Sequence, residues 1–357
     1  MPEWRRDAAS GRWVIISAQR ADRPNDLPVA RGHVGIVVNR DSEIANCPFC
    51  PGNEFQTPPE LDAIPAAGER KEANSQGWEV RCFPNKFPAL EVGPADYQSH
   101  ALPWPATAEG FYLATHGYGA HHIIVESPEH ADDLETMPLD RLAKVLIMYR
   151  RRFRVLSDSG DWQYVALFRN SGRWAGASLA HPHSQLLALP LIPPTVAEEV
   201  AGARAFYHQH GRCVYCQLLD TEIKREERAV TENDDFLAFV PFAARMPYEV
   251  WITPKKHAAC FSDVCEEELP SLAEVLAKVL RCLTDVLGPH DYNLVVHSLS
   301  LRSDEQSSYH WHVEVLPRTT VMAGLELGAG VHINPVVPEE AARRLRDASR
   351  RRASGEG

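Results

Sequence analysis

Ser178-Leu179-Ala180-His181-Pro182-His183-Ser184-Gln185-Leu186-Leu187-Ala188-Leu189-Pro190 is the stretch from which the rest of this 357-residue chain can be read. In an extended chain side chains alternate between faces, so His181, His183 and Gln185 point one way. Pro182 cannot donate to a ladder, which suits a strand end or a site rim rather than a sheet centre. Gly172 and Gly176 lie just upstream, where backbone could approach a ligand closely. Three aligned groups able to ligate, attack or hydrogen-bond make a candidate site. The plainer alternative is a polar strand face with two surface histidines.

The composition narrows the class. Hydrophobic residues make up 44% and charged residues 24%, the balance of a globular protein. No apolar run approaches the ~20 residues of a membrane span. The N-terminus, Met-Pro-Glu-Trp-Arg-Arg, lacks the apolar core of a signal peptide, so a cytoplasmic location is the expectation. A net charge of −11 argues against a broad nucleic-acid surface but leaves room for a local basic pocket. Four of the eight cysteines fall in two CxxC pairs, which is unlike a secreted disulfide framework.

Apolar patterning predicts strands over Trp13–Ile16, Trp78–Phe83, His122–Glu126, Trp162–Phe168, Asp235–Val240, Tyr248–Ile252, Tyr292–His297 and Tyr309–Pro317. Helical spacing predicts helices over Leu139–Leu156, Val196–His208 and Glu266–Leu287, and another from Pro338. Residues 31–46, the Pro/Gly/Ala-rich stretch to about residue 75, residues 94–118 and Gly324–Gly330 read as loop. Pro193-Pro194 marks a boundary and predicts two domains, 1–194 and 195–357. The basic cluster Arg343–Arg352 reads as a solvated helix face.

The two halves repeat one order: CxxC, strands, a proline two or three residues before a histidine, a long helix, a strand, and a strand with His-x-His. The first half supplies Cys47/Cys50, His130 and His181/His183, and the second Cys213/Cys216, His257 and His310/His312. About fifty residues separate the lone histidine from the pair in both halves. Two thiolates and two imidazoles suit zinc in a closed tetrahedron. Two such sites are expected, from Cys47, Cys50, His130 and His181 and from Cys213, Cys216, His257 and His310. Cys82, Cys260, Cys265 and Cys282 carry no partner pattern and read as core thiols.

With His181 assigned to a metal, His183 is left free beside it. His181-Pro182-His183-Ser184-Gln185 resembles the His-Pro-His-x-Gln signature of the galactose-1-phosphate uridylyltransferases, a branch of the histidine-triad superfamily. Arg12-Trp13-Val14-Ile15, Arg20 to Pro24, Cys47-Pro48-Phe49-Cys50, Asn85-Lys86-Phe87, Ser127 to His130 and Asn170-Ser171-Gly172 match further blocks in order. The resemblance implies an α+β fold of two histidine-triad-like domains, each an antiparallel half-barrel sheet with packed helices. It implies transfer of a nucleoside monophosphate through a covalent nucleotidyl-histidine on His183, with Gln185 donating to a phosphoryl oxygen. A glutamine there, where hydrolytic relatives carry a third histidine, implies transfer rather than hydrolysis.

The implied substrate contacts are Arg20, Arg23, Asn85, Lys86, Phe87, Asn170, Ser178, Gln185, His312 and Glu326. Arg20 and Arg23 also read as two solvated surface arginines, and His297 and His312 as core histidines. The implied partners are a nucleotide sugar and a sugar phosphate or phosphate, with a homodimer common in the family. One departure stands out. The familiar bacterial enzymes build their second metal site from a carboxylate and three histidines, and this chain offers a second CxxC. Ala175 to Ser178, Leu189 to Pro194 and Gly328 to Pro335 are similar to the plant ADP-glucose phosphorylase branch, which passes adenylyl to phosphate. A zinc-stapled nucleic-acid binder rests only on the CxxC pairs and the arginine-rich segments, and the net charge opposes it.

Overall fold

The computed structural model describes residues 1–22, 44–66, 70, 72–92, 117–159, 162–299 and 303–354. In chain order the elements are β1 (Glu3–Arg6), β2 (Trp13–Ile16), β3 (Asp62–Pro65), β4 (Trp78–Pro84), β5 (Ala120–Val125), α1 (Leu139–Asp158), β6 (Tyr164–Ser171) and β7 (His183–Leu189). The second half follows with α2 (Pro194–His210), α3 (Val214–Arg225), β8 (Ala229–Glu232), β9 (Phe236–Phe239), β10 (Val250–Pro254), α4 (Leu269–Leu287), β11 (Tyr292–His297), β12 (His312–Pro317), α5 (Gly324–Ala329), β13 (His332–Asn334) and α6 (Pro338–Ser354).

Ten strands form one sheet in the order β3-β4-β5-β7-β6-β11-β12-β10-β9-β8, and β1, β2 and β13 form a second, three-stranded sheet. The large sheet reads the same from either edge: five strands of the first half meet their counterparts at β6 and β11. That central pair is antiparallel, with Arg169 opposite Leu294 and Phe168 opposite Val295. The sequence repeat is therefore a spatial pseudo-twofold. The α+β class with antiparallel sheets and packed helices is what the chain adopts. The expected half-barrels are open sheets, and they join edge to edge into one.

Each face of the large sheet has one job. Ser184, Leu186 and Ala188 on β7 are wholly buried on one face, together with Leu167, Leu294, Val315 and Ile252. This face meets the apolar stripe of α1 (Leu142, Val145, Leu146, Tyr149, Phe153) and that of α4 (Leu272, Val275, Leu276, Val279, Leu283). Alternation places His183, Gln185, Phe168, Asn170, Asn293, Val295, Glu314 and His312 on the opposite face. In the second half α2 and α3 cover that face with Ala203, Tyr215 and Leu219 against Phe239 and Trp251. In the first half the Cys47–Cys50 turn packs there through Phe49.

A polar network lies inside the helix-covered face, directly behind His183. The Glu126 carboxylate is wholly buried and takes hydrogen bonds from Tyr149, Ser184 and, at 2.9 Å, Arg169 Nε. Arg169 also reaches Tyr292 at 2.7 Å and Asp133 at 3.1 Å. Removing one partner leaves the other charge buried and unpaired. Arg169→Met should therefore lower the free energy of unfolding in urea by ~3–5 kcal/mol. A change under ~1 kcal/mol, the range of an exposed pair, would contradict this role.

Several elements differ from expectation. β3 lies in the stretch expected as loop: it is a short edge strand carrying Pro65, and only an edge tolerates that proline. β1, β8 and α3 were also missed. α3 starts inside the CxxC, with Cys213 as its N-cap, so the metal motif hides a helix start. Residues 324–329 form the short helix α5 instead of a Gly-rich loop, because the Glu326 carboxylate accepts the Ala323 N–H at 2.9 Å and closes the first turn. The first three residues of the helix expected from Glu266 are a 3₁₀ turn. Cys82, Cys260 and Cys282 are buried, but Cys265 is exposed ahead of that turn and is not a core thiol.

Candidate active site and metal centres

His183 opens β7, on the sheet face away from α1. Its Nδ1–H donates to the carbonyl of His181 at 2.8 Å. That bond fixes the tautomer and leaves the lone pair on Nε2, in a ring that is 6% exposed. The Phe49 ring packs on the imidazole with centroids 5.3 Å apart. Burial lowers the pKa of His183 below the usual histidine value, so the ring is held neutral. A neutral, oriented imidazole with one unprotonated nitrogen is equipped for nucleophilic attack.

The wall beside it is the first Cys–His cluster. Ligand atoms of Cys47, Cys50, His130 and His181 all lie within 4.8 Å of one another. His181 Nδ1 stands 3.6 Å from Cys47 Sγ and 3.5 Å from Cys50 Sγ, and His130 Nδ1 is 3.3 Å from Cys50 Sγ. A tetrahedron with zinc–sulfur and zinc–nitrogen bonds of ordinary length has sulfur–nitrogen edges of about 3.5 Å. The donor set and spacing thus fit a zinc ion. His181 Nε2–H donates to the Ser127 carbonyl at 2.8 Å, which turns Nδ1 towards the sulfurs. Local sequence builds the thiol turn: Gly52 has φ +97°, and Asn53 Nδ2 donates to the Cys47 carbonyl at 2.8 Å.

Cys213, Cys216, His257 and His310 form the matching cluster in the second half, also within 4.8 Å. His257 Nδ1 is 3.2 Å and His310 Nδ1 3.7 Å from Cys216 Sγ. His257 Nε2–H donates to the Gln306 carbonyl at 2.9 Å. This cluster sits nearer the surface, beside a groove of about 760 Å³ lined in part by Arg212, Lys256, Asp235 and Glu268.

The pseudo-twofold repeats the nucleophile position too. His312 Nδ1–H donates to the His310 carbonyl at 3.2 Å, and Tyr215, in the place of Phe49, packs on it at 5.3 Å. Glu314 stands where Gln185 stands. The surroundings differ: His183 keeps 6% exposure, whereas His312 has none and is stacked on Trp251 with centroids 4.6 Å apart. The structure keeps His312 in this second-half enclosure, at the far end of a strand three places from β7, and does not bring it to His183.

Glu199, His297, His312 and Glu314 also converge within 4.8 Å. Here both carboxylates already meet cationic side chains of the chain itself. His297 Nδ1–H donates to Glu199 at 2.9 Å, and Arg245 Nη2 donates to Glu314 at 2.6 Å. Burial alone would lower the His297 pKa, but Glu199 and Glu314 outweigh it and raise the value to about 9. A raised folded-state pKa stabilises the fold fully below the ordinary value of ~6.5, and that contribution is lost as pH rises from there. Unfolding free energy should fall between pH ~6.5 and ~9, and His297→Gln should flatten that fall. An unchanged slope in the variant would contradict the imidazolium.

The other expected contacts scatter. Gln185 and Asn170 lie on the His183 face. Asn85 follows β4, and its Nδ2 lies 3.1 Å from His121 Nε2. Lys86 is exposed, its Nζ bonded to the Gln56 carbonyl at 3.1 Å, and Phe87 is 83% exposed. Arg20, in the 3₁₀ turn Ala18–Asp22, and Ser178 are exposed. Arg23 lies outside the described residues. Glu326 is engaged with its own helix at Ala323. Sequence reasoning missed His121, Glu126 and Asn293. Alternation along Ala120–Val125 was the available signal for His121, and the others show only in cross-strand pairing. The basic tail is matched by acids: Arg343 and Arg344 meet Glu340 at 2.7 and 2.8 Å, and Arg352 meets Asp285.

With this geometry in hand, comparison with known proteins gives consistent matches. Residues 1–193 match the family described as galactose-1-phosphate uridyl transferase, N-terminal domain, and residues 199–354 its C-terminal domain. ADP-glucose phosphorylase of Arabidopsis thaliana is 32% identical over 350 residues, covering 98% of this chain and 93% of the relative. Galactose-1-phosphate uridylyltransferase of Thermotoga maritima is 32% identical over 356 residues, covering 97% and 98%. The crystal structure of the Arabidopsis phosphorylase with bound ADP-glucose superposes with a TM-score of 0.81 at 30% identity, over 97% of this chain and 98% of that one. A uridylyltransferase structure gives 0.71 at 32% identity, over 98% and 99%.

Proposed function

This chain belongs to the galactose-1-phosphate uridyl transferase family, and we propose that it moves a nucleoside monophosphate from a nucleotide sugar to a sugar 1-phosphate through a covalent bond to His183. The observation that carries this is the 2.8 Å bond from His183 Nδ1–H to the His181 carbonyl, which leaves Nε2 as the nucleophile. In the first step the Nε2 lone pair attacks the α-phosphorus, and the bond to the departing sugar 1-phosphate breaks. The phosphorylated imidazole is cationic, and the His181 carbonyl faces its Nδ1–H. The leaving phosphate is a weak base, so no strong general acid is needed. In the second step an oxygen of the acceptor phosphate attacks the same phosphorus, the P–N bond breaks and neutral His183 returns. Gln185 donates to a non-bridging oxygen in both steps.

Cys47, Cys50, His130 and His181 would hold one zinc ion, and Cys213, Cys216, His257 and His310 a second. Zinc there would supply structural rigidity, and the first site would fix the strand end that carries His183. The enzyme acts as a homodimer on small nucleotide sugars in the reducing cytoplasm, where thiolate ligands persist.

A second reading is adenylyl transfer from ADP-glucose to inorganic phosphate. It is favoured by the higher TM-score to the phosphorylase, 0.81 against 0.71 for the uridylyltransferase structure. UDP-glucose and ADP-glucose should each be tested against galactose 1-phosphate and phosphate. UDP-galactose as product supports uridylyl transfer to a sugar phosphate, and ADP formed from ADP-glucose and phosphate supports the second reading. No nucleotide product from any pair would contradict both.

A further inference from the structure

Two amide side chains flank His183 on the sheet face away from α1. Gln185 stands two residues along the same strand. Arg169 pairs with Ser184, so the next residue, Asn170, comes alongside His183 on β6. An amide presents either a carbonyl or an NH2 group, and these act on an anion with opposite sign. Which end faces a phosphate is decided by the partners of the other end.

The partner of Gln185 is His121. The Ala89 backbone N–H can only donate, and it donates to His121 Nδ1 at 3.1 Å. Nδ1 therefore carries the lone pair, and the neutral ring has its proton on Nε2. That Nε2–H donates to Gln185 Oε1 at 2.8 Å; Asn85 Nδ2 lies 3.1 Å from Nε2 and 3.4 Å from Nδ1, too evenly placed between the two to be aimed at the lone pair of either. Burial lowers the His121 pKa, which keeps the ring in this one-proton state. The carbonyl of Gln185 is thus tied to His121, and its NH2 is turned away from it.

Asn170 is oriented by the same logic from the second half. The Ala175 carbonyl can only accept, and Asn293 Nδ2 donates to it at 2.8 Å. The same NH2 donates to Asn170 Oδ1 at 2.8 Å across the β6–β11 seam. The Asn170 carbonyl is occupied, and its NH2 is left for the His183 face.

We propose that His121 and Asn293 are positioning residues, each locking one amide so that the NH2 groups of Gln185 and Asn170 converge on the non-bridging oxygens of the phosphate that His183 attacks. Neither touches substrate. Negative charge grows on those oxygens as the fifth bond forms, and donors already aimed there need no reorganisation. The first-half site then depends on a second-half residue, a reason for the halves to share one sheet. The inference rests on the nucleotidyl-histidine reading above.

The test is the single-turnover rate of enzyme labelling with α-labelled UDP-glucose or ADP-glucose, whichever labels the wild type, and with its α-phosphorothioate diastereomers. His121→Phe fills the ring space without a donor. Asn293→Asp can only accept and would draw the Asn170 NH2 towards itself. Each should slow labelling ~10–100-fold, a fraction of what loss of a whole oxyanion donor costs, with nucleotide-sugar binding unchanged. His121→Gln can accept from Ala89 and donate to Gln185, and should restore most of the rate. The penalty for sulfur at the contacted oxygen should shrink in both slow variants, because that donor is already misaimed. Asn293→Ala, which leaves Asn170 free to turn either way, should give a smaller loss and serves if Asn293→Asp does not fold. Wild-type labelling rates in folded variants, or a slow rate with the full sulfur penalty, would overturn the proposal. Failure of the wild type to label with either sugar would instead remove the nucleotidyl-histidine beneath it.

Discussion

His183→Gly should form no nucleotidyl-enzyme and should lose at least ~10⁴ in turnover, the scale on which removal of a nucleophile acts. The metal content should not change, because His183 ligates nothing: its Nδ1 is bonded to the His181 carbonyl and its ring packs on Phe49. The cavity left by the ring should admit free imidazole, and partial rescue by millimolar imidazole would place the lost function at that nitrogen. Full labelling in the glycine variant would assign the nucleophile elsewhere. Parallel loss of metal would mean that the ring is structural. His312→Gly is the matched control. It should lower stability, by the loss of a buried stacked ring on Trp251, and leave the covalent step in place.

Removing a thiolate should act differently in the two halves. Metal binding energy is folding energy when no preformed site exists in the unfolded chain. Cys50→Ser and Cys213→Ser should each release about one metal ion per chain and lower the thermal midpoint by about 10 °C or more. Only Cys50→Ser should also collapse the rate at temperatures where the protein stays folded, because His181 is both its co-ligand and the residue whose carbonyl orients His183. Cys213→Ser should retain most of the turnover. Atomic-emission metal counts with calorimetry and single-turnover labelling would read all three effects. A folded Cys213→Ser variant with a rate loss like that of Cys50→Ser would contradict the structural assignment of the second cluster.

Much of this architecture was legible because it repeats. His-x-His, CxxC and a histidine after proline recur in one order, and period-two alternation puts His183 and Gln185 on one face without knowledge of any partner strand. The equivalence of Phe49 and Tyr215 was also present, as the third residue of each CxxC. What each ring packs on depends on a fold that brings residues 49 and 183, or 215 and 312, together. The edge strands β3 and β8 were illegible for a different reason. Half-exposed, short and interrupted by proline or charge, they lack the apolar run that marks a buried strand. Alternation along β5 could have put His121 on the site face, but the roles of Asn293 and His121 were beyond reach because their meaning lies in direction. A hydrogen bond to Ala175 or from Ala89 sets the sense of an amide more than a hundred residues away for Asn293, and no local pattern encodes it. The divergence of the halves, by contrast, turns on single residues: Glu314 in place of Gln185 and Trp251 stacked on His312 make one site a salt-bridged enclosure.

The most direct measurement is the site of covalent attachment. Enzyme quenched at alkaline pH after mixing with UDP-glucose or ADP-glucose, then digested and mapped by mass spectrometry, should carry one uridylyl or adenylyl group on the peptide spanning Ser178–Pro190, with fragmentation placing it on His183. Nucleotide turnover without an adduct, or an adduct on any other side chain, would contradict the account.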